Sequence, residues 1–387
     1  MSLSQIAKSI TASPTLALNA KFAALRQKGE AVIHLGGGEP KSKAPMDAIL
    51  PLKEHLDTRE IRYTPAAGIP ALKDAIIKYT ENFYNRKVER GNVVAASGAK
   101  HALILALQAI LNPKDEVIFP VPYWVSYPDM VKICGANPIN AIPADGSYYP
   151  SIGDIEKKIS EQTKAVIINS PNNPSGAVYS EKFISDIIQF CEKKDLYLIF
   201  DDIYHRLVFD GRKPINPYDY TKIFNDKSKL ILVNGVSKSY AMTGFRIGWA
   251  VTNTQIIKAM TNIQGHQTSG PSVLLQKAAI GAINGEQSGV EELRKTLEKN
   301  RDIMMELLNS FEGVEVTKPD GTFYCFADFS AFEKDSNKLS NFLIDEAKVL
   351  TVPGAEFGME GFLRLSYCGS VEDITEGIQR IKNVLLK

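Results

Sequence analysis

The sequence predicts an α/β fold, with a large domain built on a mainly parallel sheet and a smaller α+β domain joined to it. Three observations carry that expectation. Apolar, β-rich runs recur through the middle of the 387-residue chain, with helix-like segments between them. Those runs are apolar almost throughout, as strands covered by helices on both faces must be. Past residue 288 the rhythm changes to one long charged helix followed by shorter strand and helix pairs.

In order, the strand candidates are V-V-A-A-S (93–97), E-V-I-F-P (116–120), K-A-V-I-I-N (164–169), Y-L-I-F-D (197–201), K-L-I-L-V-N (229–234) and R-I-G-W-A-V (246–251). Between them lie H-A-L-I-L-A-L-Q-A-I-L (101–111) and E-K-F-I-S-D-I-I-Q-F-C-E-K-K (181–194), the second with apolar residues at helical spacing. Strand–helix–strand alternation gives a layered α/β architecture. In such sheets ligands bind beyond the carboxyl ends of the strands. A helix from Gly289 to Phe311 then precedes G-V-E-V (313–316), T-F-Y-C-F-A-D (322–328) and F-L-R-L-S-Y (362–367). The large domain is placed at 41–288. Residues 1–40 and 289–387 are assigned to the small domain, because chain ends commonly meet.

Charge excludes several function classes. Lys and Arg number 45 against 44 Asp and Glu, so no basic surface for nucleic acid or acidic lipid is expected. No apolar run is long enough to span a membrane. The opening M-S-L-S-Q-I-A-K-S-I lacks the apolar core of a signal peptide. Four scattered cysteines without a C-x-x-C pair read as reduced thiols in a cytoplasmic protein. Five dispersed histidines show no metal-ligand spacing.

Four segments at predicted strand ends carry chemistry. S-G-A-K (97–100) offers backbone N–H groups to an anion at a helix start, or is a plain turn. N-S-P-N-N-P-S-G (169–176) projects an asparagine into the crevice, or is a turn. F-D-D-I-Y (200–204) ends a buried strand on carboxylates, which need a cation or donors unless one of them caps a helix. In N-G-V-S-K-S-Y-A-M-T-G-F-R (234–246), Lys238 is either a solvated loop lysine or an amine placed where water is scarce. Desolvation and nearby cations keep a lysine amine neutral and nucleophilic. A lysine, a carboxylate, a phosphate turn and an arginine are together what a phosphorylated pyridine aldehyde requires of a protein.

With those segments in place, nearly the whole chain resembles a class I/II (fold-type I) pyridoxal-phosphate aminotransferase, similar to the bacterial aspartate aminotransferases. The matching stretches include S-P-T-L-A-L-N-A-K (13–21), L-G-G-G-E-P (35–40), R-Y-T-P-A-A-G-I-P-A-L (62–72), P-Y-W-V-S-Y-P (122–128), N-S-P-N-N-P-S-G-A-V-Y (169–179), S-K-S-Y-A-M-T-G-F-R-I-G (237–248) and L-R-L-S-Y (363–367). The resemblance implies that Lys238 is the Schiff-base lysine and moves the substrate proton. Asp201 then faces the pyridine nitrogen, Asn173 and Tyr204 donate to the phenolic oxygen, and Trp124 stacks on the ring. Gly98, Ala99, Ser237 and Arg246 match the phosphate cradle. Tyr63 matches a tyrosine reaching the neighbouring subunit's phosphate, which implies a homodimer with shared sites.

For the substrate, Arg364 matches the clamp on the α-carboxylate and Gly38 a backbone contact to it. Trp124 and Asn173 also border the substrate. Lys100, Ser13 and Thr15 occupy positions that read a distal carboxylate in the bacterial subgroup, and N-I-Q-G-H-Q-T-S-G-P-S (262–272) contains no arginine for that task. His101 stands where a glutamine is more usual. The function implied is ping-pong transfer of an amino group from aspartate to 2-oxoglutarate, with the N-terminal segment closing over substrate. The rivals are an aromatic, prephenate or alanine-type aminotransferase, and a lyase or decarboxylase on the same fold. A non-catalytic regulator would carry a DNA-binding extension that this N-terminus is too short to supply.

Overall fold

The computed structural model describes residues 3–10, 14–222 and 226–387, with residues 14–16 described by their backbone alone. The strands among these residues are β1 (Ile33–His34), β2 (Val93–Ala96), β3 (Glu116–Pro120), β4 (Asn137–Ala141), β5 (Thr163–Asn169), β6 (Tyr197–Asp201), β7 (Leu230–Gly235), β8 (Gly248–Val251), β9 (Glu315–Val316), β10 (Tyr324–Asp328), β11 (Val349–Leu350), β12 (Val352–Pro353) and β13 (Phe362–Ser366).

Seven strands form one sheet in the order β2-β8-β7-β6-β5-β3-β4. The β7-β6-β5-β3-β4 run is parallel throughout. β8 runs antiparallel between β2 and β7. Strand residues alternate between two cores. Leu198, Phe200, Leu230 and Leu232 pack on one side of the sheet. Ile199, Ile231 and Val233 pack on the other. Side chains one apart on a strand face opposite ways, so a sheet buried on both faces must be apolar at every position. That is why the strand runs show no polar alternation.

Within the seven-stranded sheet, β4 is the strand the apolar pattern passed over. Its sequence N-P-I-N-A carries Pro138, which cannot donate to a ladder, and it lies at the sheet edge where that donor is not needed. The helix expected from Gly289 to Phe311 spans Ser288–Asn309. A second, antiparallel sheet has the order β12-β13-β10-β9. β1 pairs in parallel with β11, and Ile33 and Leu35 pack into the core that also holds Phe323, Leu363 and Leu365. The chain near residue 36 is thereby brought beside β13. No helix among the described residues is long and apolar enough to cross a membrane. The four cysteines are free thiols.

Candidate active site

The carboxyl ends of β5, β6 and β7, the turn after β2 and the middle of β13 converge on one cavity of about 760 Å³. Its walls include Gly38, Ala99, Lys100, Trp124, Asn173, Asp201, Tyr204, Ser237, Lys238, Arg246 and Arg364. Parallel strands with right-handed crossovers open their carboxyl ends to the same edge, so residues far apart in sequence meet there.

Lys238 follows β7. Its Nζ donates to the Gly38 carbonyl oxygen at 2.6 Å, and it lies 5.9 Å from the Tyr204 ring centroid. Burial, reinforced by the nearby Arg364 cation, lowers its pKa to about 8. Asp201 closes β6 and is buried. The Tyr127 hydroxyl donates to its Oδ2 at 2.7 Å, while Oδ1 has no partner. Burial raises the Asp201 pKa to about 6, against the lowering effect of the Tyr127 hydrogen bond, the Ile203 backbone N–H and Lys238.

Asn169, at the end of β5, ties this edge together. Its amide donates to the Asp201 carbonyl at 2.9 Å and its Oδ1 accepts from the Asn173 N–H at 2.9 Å. Asn173 in turn accepts Arg364 Nη1 at 3.0 Å, and Arg364 Nη2 donates to the Gly36 carbonyl at 3.0 Å. The guanidinium lies 4.3 Å from the Tyr324 ring centroid, and its Nε is buried without a partner. Tyr204 and Tyr324 meet hydroxyl to hydroxyl at 3.3 Å.

The turn after β2 is shaped by close approach. Gly98 has φ +90°, and a Cβ there would overlap the Arg246 guanidinium. Arg246 itself sits in the left-handed region at φ 51°, with Nη1 on the Thr243 carbonyl at 3.1 Å and Nη2 on the Ser97 carbonyl at 3.4 Å. A Cβ on Gly248, at the start of β8, would overlap the backbone of Gly98 and Ala99. The turn, β8 and Arg246 are one packed unit. His101 Nδ1 accepts the Ser97 N–H at 3.2 Å. Lys100 Nζ lies 4.9 Å from the Trp124 ring centroid, its pKa lowered by burial and by Arg246.

Tyr63 is not brought to this cavity within one chain. It is 96 % exposed. Ser13, and the side chain of Thr15, lie outside the described residues. The helix-cap alternative for Asp201 and Asp202 does not hold, because a turn follows β6. The cavity also takes Asn19, His34, Glu39, Thr243 and Tyr324, which the sequence did not single out. Thr243 Oγ1 donates to Glu39 at 2.6 Å, and His34 Nε2 meets Asn19 Oδ1 at 3.2 Å. Glu39 and Thr243 lie inside the matching stretches, so the motif text held them. Asn19 likewise falls inside the 13–21 stretch, whereas His34 had no such signal.

Residues 30–381 match the aminotransferase class I and II family, and the chain belongs to that family. It is therefore an aminotransferase, of a family that depends on pyridoxal phosphate. It is 37 % identical over 393 residues to the aspartate aminotransferase of Bacillus subtilis (strain 168), covering 100 % of each chain. It is 38 % identical to the probable aspartate/prephenate aminotransferase of Aquifex aeolicus (strain VF5), covering 96 % of each. Among solved structures, the Thermus thermophilus aspartate aminotransferase with maleate matches at a TM-score of 0.94, with 32 % identity and 100 % of both chains covered. The Thermotoga maritima aspartate aminotransferase matches at 0.93, with 34 % identity and the same coverage.

Proposed function

We propose that this aminotransferase takes the amino group of aspartate, passes it to 2-oxoglutarate, and uses pyridoxal phosphate held in the cavity around Lys238. The carrying observation is a pair of buried atoms without partners in that cavity. Asp201 Oδ1 lacks a donor and Arg364 Nε lacks an acceptor. Buried polar groups are nearly always paired, so each calls for a ligand atom. A protonated ring nitrogen suits the first and a substrate carboxylate the second.

The donor set fits the cofactor. Gly98, Ala99, Ser237 and Arg246 would hold the phosphate, with the glycine leaving room for the guanidinium. Asn173 and Tyr204 would hold the phenolic oxygen, and Trp124 would cover the ring. When bound, pyridoxal phosphate supplies an aldehyde and a ring that draws electrons from the substrate Cα. Asp201 holds a proton at the ring nitrogen. Lys238, whose lowered pKa makes its neutral amine accessible near pH 8, would take the Cα proton and return it. Arg364 orients the α-carboxylate through a planar pair of N–H groups, with Gly38 beside it. Lys100, Ser13 and Thr15 would face the distal carboxylate. Tyr63, exposed on one chain, would reach the phosphate of a second copy in a homodimer. Residues 41–288 would then be the cofactor domain and 1–40 with 289–387 the small domain, its N-terminal segment closing over substrate and excluding water.

Relatives named aspartate aminotransferase, and one solved with the dicarboxylate maleate, support the acidic substrate. A second reading, prephenate as amino acceptor, is favoured by the Aquifex relative's name. One experiment tests both. Purified protein with pyridoxal phosphate should give a borohydride-fixed label that Lys238→Ala abolishes. Amino donors are then screened against 2-oxoglutarate and prephenate. A label that persists in the variant sinks the Lys238 assignment. Aromatic donors outranking aspartate sink the substrate assignment.

A further inference from the structure

Directly after Asp201, Asp202 is 1 % exposed and enters a buried hydrogen-bond chain on the far side of β6 from the cavity. The Tyr84 hydroxyl donates to Asp202 Oδ2 at 2.8 Å. Asn234, four residues before Lys238, reaches the same hydroxyl through Nδ2 at 2.8 Å and His205 Nδ1 at 3.0 Å. Tyr79 Oη lies 3.0 Å from His205 Nε2. All five side chains are at most 2 % exposed.

The protons from His205 through Asn234 and Tyr84 to Asp202 can be placed. The Gly235 N–H donates to Asn234 Oδ1 at 2.7 Å, which fixes the amide orientation. Nδ2 therefore donates both to Tyr84 and to His205 Nδ1. His205 is then neutral, with its proton on Nε2 and directed at Tyr79. Burial agrees, lowering its pKa to about 3. Tyr84 has accepted from Asn234, so its own proton goes to Asp202. That leaves Asp202 with one side-chain donor for two oxygens, and Oδ1 has no partner.

The charges around it do not help. Asp201 is the adjacent acid. Arg206 is turned to Gln287 at 2.5 Å and lies 4.5 Å from the Phe83 ring centroid. Arg86 lies 5.6 Å from the Tyr218 ring centroid. Among the described ion pairs of the molecule, Asp202 enters none. A buried carboxylate with one donor and no cation is far more costly than the neutral acid.

We propose that Asp202 is a positioning residue held as an uncharged carboxylic acid, so that the negative charge at the end of β6 stays on Asp201. Burial and the Asp201 charge both push the Asp202 pKa well above the carboxylate range, in the same direction. The proposal rests on the reading of Asp201 as the partner of the cofactor ring.

The test is made on the holoenzyme by infrared difference spectroscopy between wild type and Asp202→Asn at neutral pH. The difference should lose the carbonyl stretch of a protonated acid. Asn resembles that neutral acid, so the pH of the cofactor's absorbance change should stay in place. Loss of an ionised carboxylate band overturns the proposal. So does a shift of that absorbance change by about one unit, the effect of removing a neighbouring charge. If Asp202→Asn does not fold, Tyr84→Phe serves, and the protonated-acid band should then move as its hydrogen bond is lost. No movement also overturns the proposal. Asp201→Asn is the separate control. If it retains the cofactor at wild-type affinity, the ring-partner reading fails, while the infrared result still decides the state of Asp202.

Discussion

Lys238 Nζ and the Gly38 carbonyl oxygen lie 2.6 Å apart, across 200 residues of sequence. This bond holds the amine against the loop that follows β1 and aims it into the cavity. Since burial and Arg364 lower its pKa to about 8, the neutral, nucleophilic form dominates only above that pH. Capture of pyridoxal phosphate by the cofactor-free protein should climb about tenfold per pH unit below 8 and level off above it. Borohydride-fixed label measured against pH reads this directly. A profile still climbing near the ordinary lysine pKa would refute the shift.

Arg364 holds Asn173 and Gly36 with two nitrogens and leaves Nε for a ligand. Arg364→Lys keeps a charge but loses the planar pair, and kcat/KM should fall by about 10- to 100-fold. The loss should be the same for the amino donor and the oxo-acid acceptor, since both carry the carboxylate. A second variant tests the coupling to Lys238. Arg364→Ala removes a cation that lowers the Lys238 pKa, so the midpoint of cofactor capture should move to higher pH.

Asp201 predicts a conflict between stability and function. Its pKa is about 6 in the folded chain against an ordinary 3.8. Between those values the folded state binds more protons than the unfolded one, so stability falls as pH rises through the window. At pH 7 the ionised group costs about 3 kcal/mol. Asp201→Asn removes the charge and keeps an oxygen for the Tyr127 hydroxyl. The cofactor-free variant should be more stable than wild type by about 1–3 kcal/mol at pH 7 in urea, with the gap closing near pH 4. With pyridoxal phosphate present the order should reverse. A variant that is less stable at every pH would show that the carboxylate is not strained.

Much of this site was legible because its parts are short motifs at strand ends. Lys238, Asp201, Asn173 and the S-G-A-K turn each follow an apolar run that stops abruptly, while Arg364, inside β13, was marked only by the family resemblance. What joins them was not legible. Tyr127, the donor to Asp201, sits 74 residues away in the chain. Tyr84 and Asn234, which meet beneath β6, are 150 residues apart. Neither pair has a local pattern, because the contact exists only once the sheet order is fixed. Asp202 shows the same limit, since one position's burial cannot be told from another's in a run such as F-D-D-I-Y. β4 was hidden by its proline, and the antiparallel direction of β8 is a property of topology that no apolar run encodes.

Gly98 should tolerate no side chain. Its φ is +90°, and a Cβ would displace Arg246. Gly98→Ala should weaken pyridoxal phosphate binding by at least about tenfold, through lost phosphate donors and backbone strain of about 1 kcal/mol or more. Equilibrium dialysis of the cofactor measures it. Arg246→Ala made in the same chain separates the two causes. If the clash with Arg246 dominates, adding Gly98→Ala to Arg246→Ala should cost little more.

Lys100 is the residue by which an acidic-substrate preference can be tested. Its ammonium lies 4.9 Å from the Trp124 ring centroid at the cavity wall, where burial and Arg246 both disfavour its charge. Lys100 is itself exposed, so solvent screens much of that penalty, and stacking on the ring offsets about 0.5–1 kcal/mol. A second carboxylate on the substrate would offset more, and would also draw the ammonium off the ring. Lys100→Ala should therefore cut kcat/KM for aspartate by about 10- to 100-fold and leave phenylalanine within a few-fold of wild type. The loss should fall mainly in KM, since the distal carboxylate is held alike before and during proton transfer. If both donors lose equally, Lys100 serves Trp124 and the turn instead, and the acidic preference must come from elsewhere in the cavity.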